Sequence, residues 1–323
     1  MKKPDPVEQA LDRLSTLRSG DGPPSEVAQE LKRFLGNRSS LVSAKAAKIA
    51  GELRSSQLVP DLVAAFERLM ADPHKLDKGC AALTEIVAAL YEMDYLEPEI
   101  YLKGMHHVQM EGAFGPPVDA AAKLRGLSAL GLARTRHPYA LDEIVALLVD
   151  PWPRARIGAV RALASNGGEA GALLLKLKIM TGDDEPDVIA ECFSGLLVDA
   201  SERSLLFVAK YADAEDPAIA EAAILAIGSS RLPAAFDRLK EKWERSVGAA
   251  LKRVLLLAMA MTKSEAAIAF LISLLEGSNA QTAKDTITAL AIYRDNEKIR
   301  RSIEDAITRR GDKNLIEALR REF

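Results

Sequence analysis

The sequence contains little of what identifies a secreted, membrane-spanning or metal-binding protein. Its two cysteines, Cys80 and Cys192, belong to no CxxC motif and no Cys/His cluster, which is typical of a protein from a reducing compartment. No stretch approaches the roughly 18 uninterrupted apolar residues of a membrane-spanning helix. Near the start, Pro4, Pro6 and Glu8 interrupt the apolar core that a signal peptide requires. We therefore expect a soluble, cytoplasmic protein.

Signatures of catalysis and of cofactor binding are absent as well. The sequence has no GxSxG, P-loop, Rossmann glycine fingerprint, HExxH or EF-hand loop. His106 and His107 are adjacent on an expected helix, where their side chains would point about 100° apart. His107 and Glu111 could share a helix face, but no third metal ligand lies near them in the sequence. These observations predict that the protein is not an enzyme and has no cofactor and no metal site.

Charge is nearly balanced over the chain but unevenly distributed. The formal net charge of −3 gives no support to polyanion binding by the whole surface. Residues 231–323 carry 18 Lys and Arg against 13 Asp and Glu, a net of +5, whereas residues 1–230 have a net of −8. Any basic partner surface is therefore expected to be local and to lie in the C-terminal third.

A repeat is the main positive feature of the sequence. A small or apolar residue recurs in successive segments at spacings of 38, 42, 33, 33, 31, 32 and 31 residues. A period in this range accommodates two helices and two turns, and apolar residues recur at helical spacing within each copy. The pattern predicts an all-α chain of about eight stacked helix pairs. The recurring positions are Gly51, Ala89, Gly131, Ala164, Leu197, Gly228, Ala260 and Ala291.

Several copies are expected to begin in the same way, at an acidic turn followed by proline. The turn occurs in "VDPWPRARIGAV" (149–160), "DDEPDVIAEC" (183–192) and "AEDPAIAEAA" (214–223). An aspartate side chain can accept free backbone N–H groups at the start of a helix, where proline is tolerated because no N–H is needed. We interpret these acidic clusters as turns between repeats, in preference to cation sites.

The stretch "DPWPRARIGAVRALAS" resembles HEAT repeats, particularly the short bacterial type named for phycobilisome-lyase-like HEAT repeats. It has the Asp-Pro turn, the Val160–Arg161 pair and the Ala-Leu-Ala that follows. The resemblance covers about residues 37–310. It implies a right-handed α-α superhelix of the kind used for scaffolding and docking, in which the second helix of each repeat lines the concave surface.

Three regions are predicted along the chain. Residues 1–36 are expected to form an N-terminal capping helical hairpin, residues 37–310 one elongated repeat array, and residues 311–323 a C-terminal capping helix. An inserted loop near 108–121 interrupts the array, since its glycines and prolines prevent helix formation. Within that loop, Phe114 either folds back between layers or joins Met110 in a lip that docks a peptide.

Basic and aromatic residues on the second helices are predicted to line one concave trough. The leading hypothesis is a scaffold or adaptor that holds a partner protein or peptide there, and the alternative is binding of a nucleic-acid backbone. In a third interpretation the cations are solvated and paired with neighbouring carboxylates, and Trp243 packs under the next layer. The trough residues are Lys176, Lys178, Lys210, Tyr211, Lys240, Lys242, Trp243 and Arg245.

Overall fold

The structure is a computed structural model that describes residues 5–18, 23–112, 115–198 and 201–323. Within these ranges the chain forms twenty α-helices and two strands of two residues each, which confirms the predicted all-α class. The helices are α1 (Pro6–Arg18), α2 (Pro24–Leu35), α3 (Ser40–Glu52), α4 (Val59–Met70), α5 (Pro73–Leu76), α6 (Ala81–Glu92), α7 (Pro98–His106), α8 (Ala122–Arg134), α9 (Ala140–Ala146), α10 (Pro153–Asn166), α11 (Gly168–Thr181), α12 (Pro186–Leu197), α13 (Glu202–Ala209), α14 (Pro217–Ser230), α15 (Ala235–Arg245), α16 (Ala249–Met261), α17 (Glu265–Gly277), α18 (Ala280–Leu290), α19 (Glu297–Arg310) and α20 (Lys313–Glu322).

From α3 to α19 the helices, apart from the four-residue α5, follow one another as pairs, each with a first and a second helix. The pairs are α3/α4, α6/α7, α8/α9, α10/α11, α12/α13, α14/α15, α16/α17 and α18/α19. Short 3₁₀ segments precede α4 and follow α9, α13 and α18. The recurring positions of the sequence all lie in the C-terminal part of a first helix or, for Ala291, directly after one. Helices α1 and α2 precede the pairs, and α20 follows them.

The chain divides into two compact units, Met1–Leu174 and Leu175–Phe323, with the boundary inside α11. This division was not predicted from the sequence. Unit 1 contains α1 to α10 and the start of α11, and unit 2 contains the remainder of α11 and α12 to α20. Each unit buries its apolar side chains between its own helices, as at Leu83 and Ile86 of α6 in unit 1 and Leu255 and Met259 of α16 in unit 2.

The acidic turns share one hydrogen-bond pattern. The side chains of Asp150, Asp183 and Asp216 each accept the backbone N–H of the residue two positions later, at distances of 2.8 to 2.9 Å. Proline then occupies the first position of α10, α12 and α14. The side chain thus closes the turn locally, and proline starts the helix with its φ already set.

At several points the backbones of neighbouring first helices come close together, because glycine removes the side chain between them. A Cβ built on Gly51 would lie 3.0 Å from Cα of Ala89, and one on Gly228 would lie 2.7 Å from Cα of Ala258. Between α8 and α10 the close approach is at Gly126 and Gly158. The recurring Gly131 has a different neighbour, since its missing side chain leaves room for the Tyr101 ring.

The inserted region is a short antiparallel hairpin. Strand β1 (Met110–Glu111) pairs with β2 (Val118–Asp119), with Met110 opposite Asp119 and Glu111 opposite Val118. The described residues of the predicted loop, 108–112 and 115–121, are free of helix, as expected, but contain a strand pair that was not foreseen from the sequence. Phe114, which was predicted to lie between layers or in a docking lip, lies outside the described residues.

No helix within the described ranges is both long enough and apolar enough to cross a membrane.

Candidate functional site

A groove of about 480 Å³ lies in unit 2 between the successive second helices α13 and α15. Apolar atoms make up most of its lining, and the first helix α14 forms its floor through Ile224 and Ile227. Leu206 of α13 projects into it with 42% of its surface exposed. We call this feature the α13–α15 groove. Its lining residues are Leu206, Ala209, Lys210, Ala212, Asp213, Ile224, Ile227, Arg238, Leu239, Glu241, Lys242 and Arg245.

The rim of the α13–α15 groove carries an excess of positive charge. Its four cations are Lys210, Arg238, Lys242 and Arg245, whereas its two anions are Asp213 and Glu241. Glu241 is shared by Arg245 at 3.4 Å and Arg238 at 3.6 Å. Lys210 is exposed and makes no ion pair within the described part of the chain. The groove thus offers a positive rim above an apolar floor.

One rim contact is an ion pair across the groove. Nζ of Lys242, on α15, donates to Oδ1 of Asp213, at the end of the 3₁₀ segment that follows α13. The Lys242 side chain is only 17% exposed, whereas that of Asp213 is 66% exposed. The ammonium is therefore the more desolvated partner, and the carboxylate is mostly in water.

The same ion pair borders a second cavity of about 420 Å³, the α14–α16 cleft. This cleft lies against the N-terminal turns of α14 and α16, and Asp213 and Lys242 line it as well as the groove. The ion pair therefore stands at the junction of two apolar depressions. The cleft is lined by Ala212, Asp213, Ala214, Glu215, Pro217, Ala220, Glu221, Lys242, Gly248, Ala250, Leu251 and Val254.

The structure divides the predicted trough residues of α15 between two faces. Lys242 and Arg245 line the groove, but Lys240 and Trp243 turn toward α17. Lys240 Nζ lies 5.2 Å from the centre of the Phe270 ring. An α-helix advances about 100° per residue, so positions 240 and 243 share one face and positions 242 and 245 share another. The sequence shows which of these residues share a helix face, but it does not show which face is covered by a neighbouring helix.

Trp243 packs against α17 of the next helix pair, as the third interpretation of the trough residues predicted. Its ring meets Phe270 edge to face with centroids 5.6 Å apart, and Lys252 Nζ lies 4.7 Å from its ring centre. Its indole N–H is buried and has no hydrogen-bond partner among the described residues. The Trp243 side chain therefore contributes to the packing of α15 against α17.

The remaining trough residues make separate contacts within unit 2. Lys178 forms an ion pair of 2.8 Å with the buried carboxylate of Asp183. Lys176 Nζ lies 5.6 Å from the ring centre of Phe207. Tyr211 packs against the rings of Phe193 and Phe207, and burial raises the pKa of its hydroxyl. Of the eight predicted residues, the α13–α15 groove collects Lys210, Lys242 and Arg245.

In the inserted hairpin, Met110 lies at the surface with 45% of its area exposed. Two further apolar residues of this region are also exposed: Val108, just before β1, and Val118, on β2. Met110 is thus accessible to a ligand, and the docking lip stays a prediction.

A buried charged network around Arg125 was missed by the sequence analysis. The Arg125 side chain is 4% exposed, and its guanidinium contacts Asp119 at 2.5 Å and Asp150 at 2.8 Å. It also donates to the carbonyl oxygen of His107 at 2.9 Å. The network joins the hairpin, α8 and the turn before α10. The available signal was an arginine inside the apolar run "AAKLRGLSAL".

Burial and hydrogen bonding act in opposite directions on Asp119. Burial by itself would raise the pKa of this carboxyl, but backbone N–H groups of Gln109 and Ala121, together with Arg125, outweigh it and hold the pKa below its usual range. Gln109 also donates to the carbonyl oxygen of Asp77 at 2.9 Å, which ties the hairpin to the start of α6. These contacts hold the hairpin in place, and we assign the network a structural role.

His106 and His107 were expected to lie on one helix, but only His106 does. Helix α7 ends at His106, whose Nε2 lies 2.8 Å from Glu143. His107 follows the helix in extended conformation and contacts Gln109 at 3.0 Å. No group of three or more His, Cys, Asp or Glu side chains that could hold a metal ion occurs within the described ranges.

Both cysteines are expected to be inert in the folded protein. Each is fully buried, and burial is the main reason that the pKa of Cys80 and that of Cys192 are raised to about 12. Because the thiolate is the reactive species, a thiol reagent at about pH 8 should label neither residue of the native chain. After unfolding in guanidinium chloride both should be labelled, as counted by intact mass. Rapid labelling of the native protein would contradict the burial of that thiol.

Comparisons with protein-family profiles and with curated protein sequences find no match. Matches among solved structures include human deoxyhypusine hydroxylase in complex with glycerol, at 18% identity, with a TM-score of 0.31 and coverage of 81% of this chain and 92% of that one. An engineered protein has 15% identity, a TM-score of 0.36 and coverage of 99% and 92%. The complex of CpcE and CpcF of phycocyanin lyase from a Nostoc species has 16% identity, a TM-score of 0.35 and coverage of 93% and 96%.

Similarities of this size identify neither an activity nor a partner for this chain. The coarser part of the resemblance, a helical-repeat architecture, is confirmed by the eight helix pairs. The finer assignment to the phycobilisome-lyase-like type stays a prediction.

Proposed function

We propose that this protein is a non-enzymatic interaction scaffold that binds a segment of a partner protein in the α13–α15 groove. The observation that carries the proposal is the combination of an apolar floor with a positive rim between two second helices. Grooves between helices that join apolar surface to a few charged groups are a common means of recognising amphipathic segments. The groove lies on the row of second helices, which the sequence analysis assigned to the concave surface.

The combination of charges with an apolar floor favours a peptide over a nucleic-acid backbone in this groove. Affinity for a phosphate backbone comes mainly from cations that replace its counterions, and it requires no apolar floor. Here Lys242 is held by Asp213, and Arg238 and Arg245 share Glu241. A duplex would have to displace several of these pairs and would gain nothing from the apolar floor, whereas an amphipathic peptide exchanges at one pair at most and gains from the apolar surface around Leu206.

The proposal predicts that Leu206→Glu removes partner binding. A charge at this position would be buried by the bound segment, and the lost apolar contact together with the desolvated carboxylate should lower affinity by about tenfold or more, or at least ~1.4 kcal/mol. The measurement is retention of partners from native cell extract on the immobilised full chain. Leu41→Glu is the matched control, because Leu41 is also an exposed leucine but lies on α3 in unit 1.

Proteins retained by the wild-type chain and by Leu41→Glu should be absent from the Leu206→Glu eluate. Equal retention by all three chains would show that the groove is not the binding site. A salt series separates the nucleic-acid alternative: retention that collapses steeply as ionic strength rises, and that nuclease treatment abolishes, would favour the backbone-binding hypothesis.

A further inference from the structure

We infer that the partner segment is acidic as well as amphipathic, and that one of its carboxylates takes the place of Asp213 at Lys242. This inference deepens the proposed function and rests on it. It concerns the chemistry of the occupant, since a groove alone does not define what enters it.

The first support is the unequal exposure of the two ions. Lys242 is 17% exposed and Asp213 is 66% exposed, so releasing Asp213 returns a carboxylate to water that already surrounds most of it. The mostly buried ammonium cannot be left without a counter-ion at comparable cost, because desolvated charges require a partner. An incoming carboxylate can therefore replace Asp213, whereas an uncharged side chain cannot.

The second support is the position of the ion pair. Asp213 and Lys242 line both the α13–α15 groove and the α14–α16 cleft. A bound segment that places apolar side chains in both depressions must pass over this ion pair. A carboxylate between two apolar anchors is the pattern that matches the site.

The third support is the charge of the surrounding rim. The groove has four cations against two anions, and Lys210 has no ion-pair partner among the described residues. A negatively charged segment therefore gains attraction at Lys210 in addition to the exchange at Lys242. A basic segment would meet an excess of like charge.

The probe for this inference is a fluorescently labelled amphipathic peptide of leucine and glutamate at helical spacing, measured by anisotropy with the full chain. A second peptide has glutamine at every glutamate position and tests the need for carboxylates. The acidic peptide is expected to bind the wild-type chain more tightly than the glutamine peptide. Unlabelled duplex DNA is included as a competitor.

Two substitutions should move the affinity for the acidic peptide in opposite directions. Asp213→Asn removes the competing carboxylate and is expected to tighten binding about two- to fivefold, the effect of one partly exposed ion pair. Lys242→Met keeps the aliphatic stem but removes the ammonium, and it is expected to weaken binding by about fivefold or more. In a Lys242→Met background, Asp213→Asn should have less than about a twofold effect.

Asp237→Asn is the matched control for general electrostatics. It removes one negative charge from the same helix, α15, but Asp237 does not line the groove. Screening should limit its effect to less than about twofold. Circular dichroism spectra of all variants should match that of the wild-type chain.

Each other result overturns the inference in a recognisable way. If Leu206→Glu abolishes peptide binding but Asp213→Asn leaves it unchanged, the groove binds as proposed and the carboxylate exchange is wrong. The exchange is also wrong if Asp213→Asn acts equally in the Lys242→Met background, or if no variant binds the acidic peptide at about 1 mM. If Leu206→Glu has no effect, or DNA displaces the peptide at lower concentration than unlabelled peptide does, the proposed function fails together with the inference.

Discussion

Replacing Arg125 with methionine is expected to lower the free energy of unfolding of unit 1 by about 3–5 kcal/mol. The substitution leaves the carboxylates of Asp119 and Asp150 without their shared cation, although they are only 1% and 9% exposed. An unpaired buried charge costs far more than the pair contributes, because the Coulombic attraction that offset its desolvation is gone. The carbonyl oxygen of His107 would also lose a hydrogen-bond donor.

Urea unfolding followed by tryptophan fluorescence measures this effect. The sequence has two tryptophans, Trp152 in unit 1 and Trp243 in unit 2, so a Trp243→Phe background leaves Trp152 as the reporter of unit 1. Arg54→Met is the matched control in the same unit, since its pair with Glu92 is 70% and 51% exposed and should contribute less than about 1 kcal/mol. Equal midpoints for the two variants would show that the Arg125 network does not stabilise the fold.

The network also gives the stability of unit 1 a defined dependence on pH. The folded-state pKa of Asp119 is depressed, so its contribution is fully present above the unfolded pKa, at about 3.9, and is lost as the pH falls through the folded value. Acid should therefore lower the urea midpoint of the wild-type chain more than that of Asp119→Asn, which has already lost the ionised carboxylate. The comparison is made between about pH 6 and pH 3 with the same fluorescence reporter.

Gly228→Ala is expected to destabilise unit 2, although alanine is the better helix former. Alanine in a helix interior is favoured over glycine by about 1 kcal/mol. At position 228, however, the added Cβ would lie 2.7 Å from Cα and 2.9 Å from the carbonyl carbon of Ala258, where no side chain can rotate away. Helices α14 and α16 must separate to accommodate it, and overpacking of this kind costs about 1–3 kcal/mol.

Thermal unfolding of Gly228→Ala should therefore show a midpoint lower by several degrees, at about 2–4 °C per kcal/mol for a unit of this size. Gly277→Ala is the matched control, because Gly277 is also a helical glycine of unit 2 but a Cβ there meets nothing within 4 Å. It should leave the midpoint unchanged or raise it slightly. A Trp152→Phe background makes Trp243 the reporter of unit 2. A midpoint for Gly228→Ala at or above the wild-type value would refute the close helix approach.

Tertiary contacts decided most of the candidate site. Lys242 and Asp213 are 29 positions apart, and their meeting depends on how α15 packs beside the segment that follows α13. Basic residues of the second helices were predicted to form the site, and three of them, Lys210, Lys242 and Arg245, line the groove. The prediction also included Lys240 and Trp243, which face Phe270 instead. A helix has a basic face in the sequence whether or not another helix covers that face.

The sequence by itself determined the helical class, the repeat and the turns of this protein, because each depends on contacts within about four residues or on a recurring pattern. Asp150, Asp183 and Asp216 close their turns by hydrogen bonds to the residue two positions on. Only the tertiary structure decided which charges are buried, which cations meet across a groove and where the chain divides into two units. Arg125 contacts one carboxylate six positions away in the sequence and another 25 positions away. No local sequence rule predicts contacts at such separations. Burial is set by the packing of whole helices, so it becomes visible only when the layers are assembled.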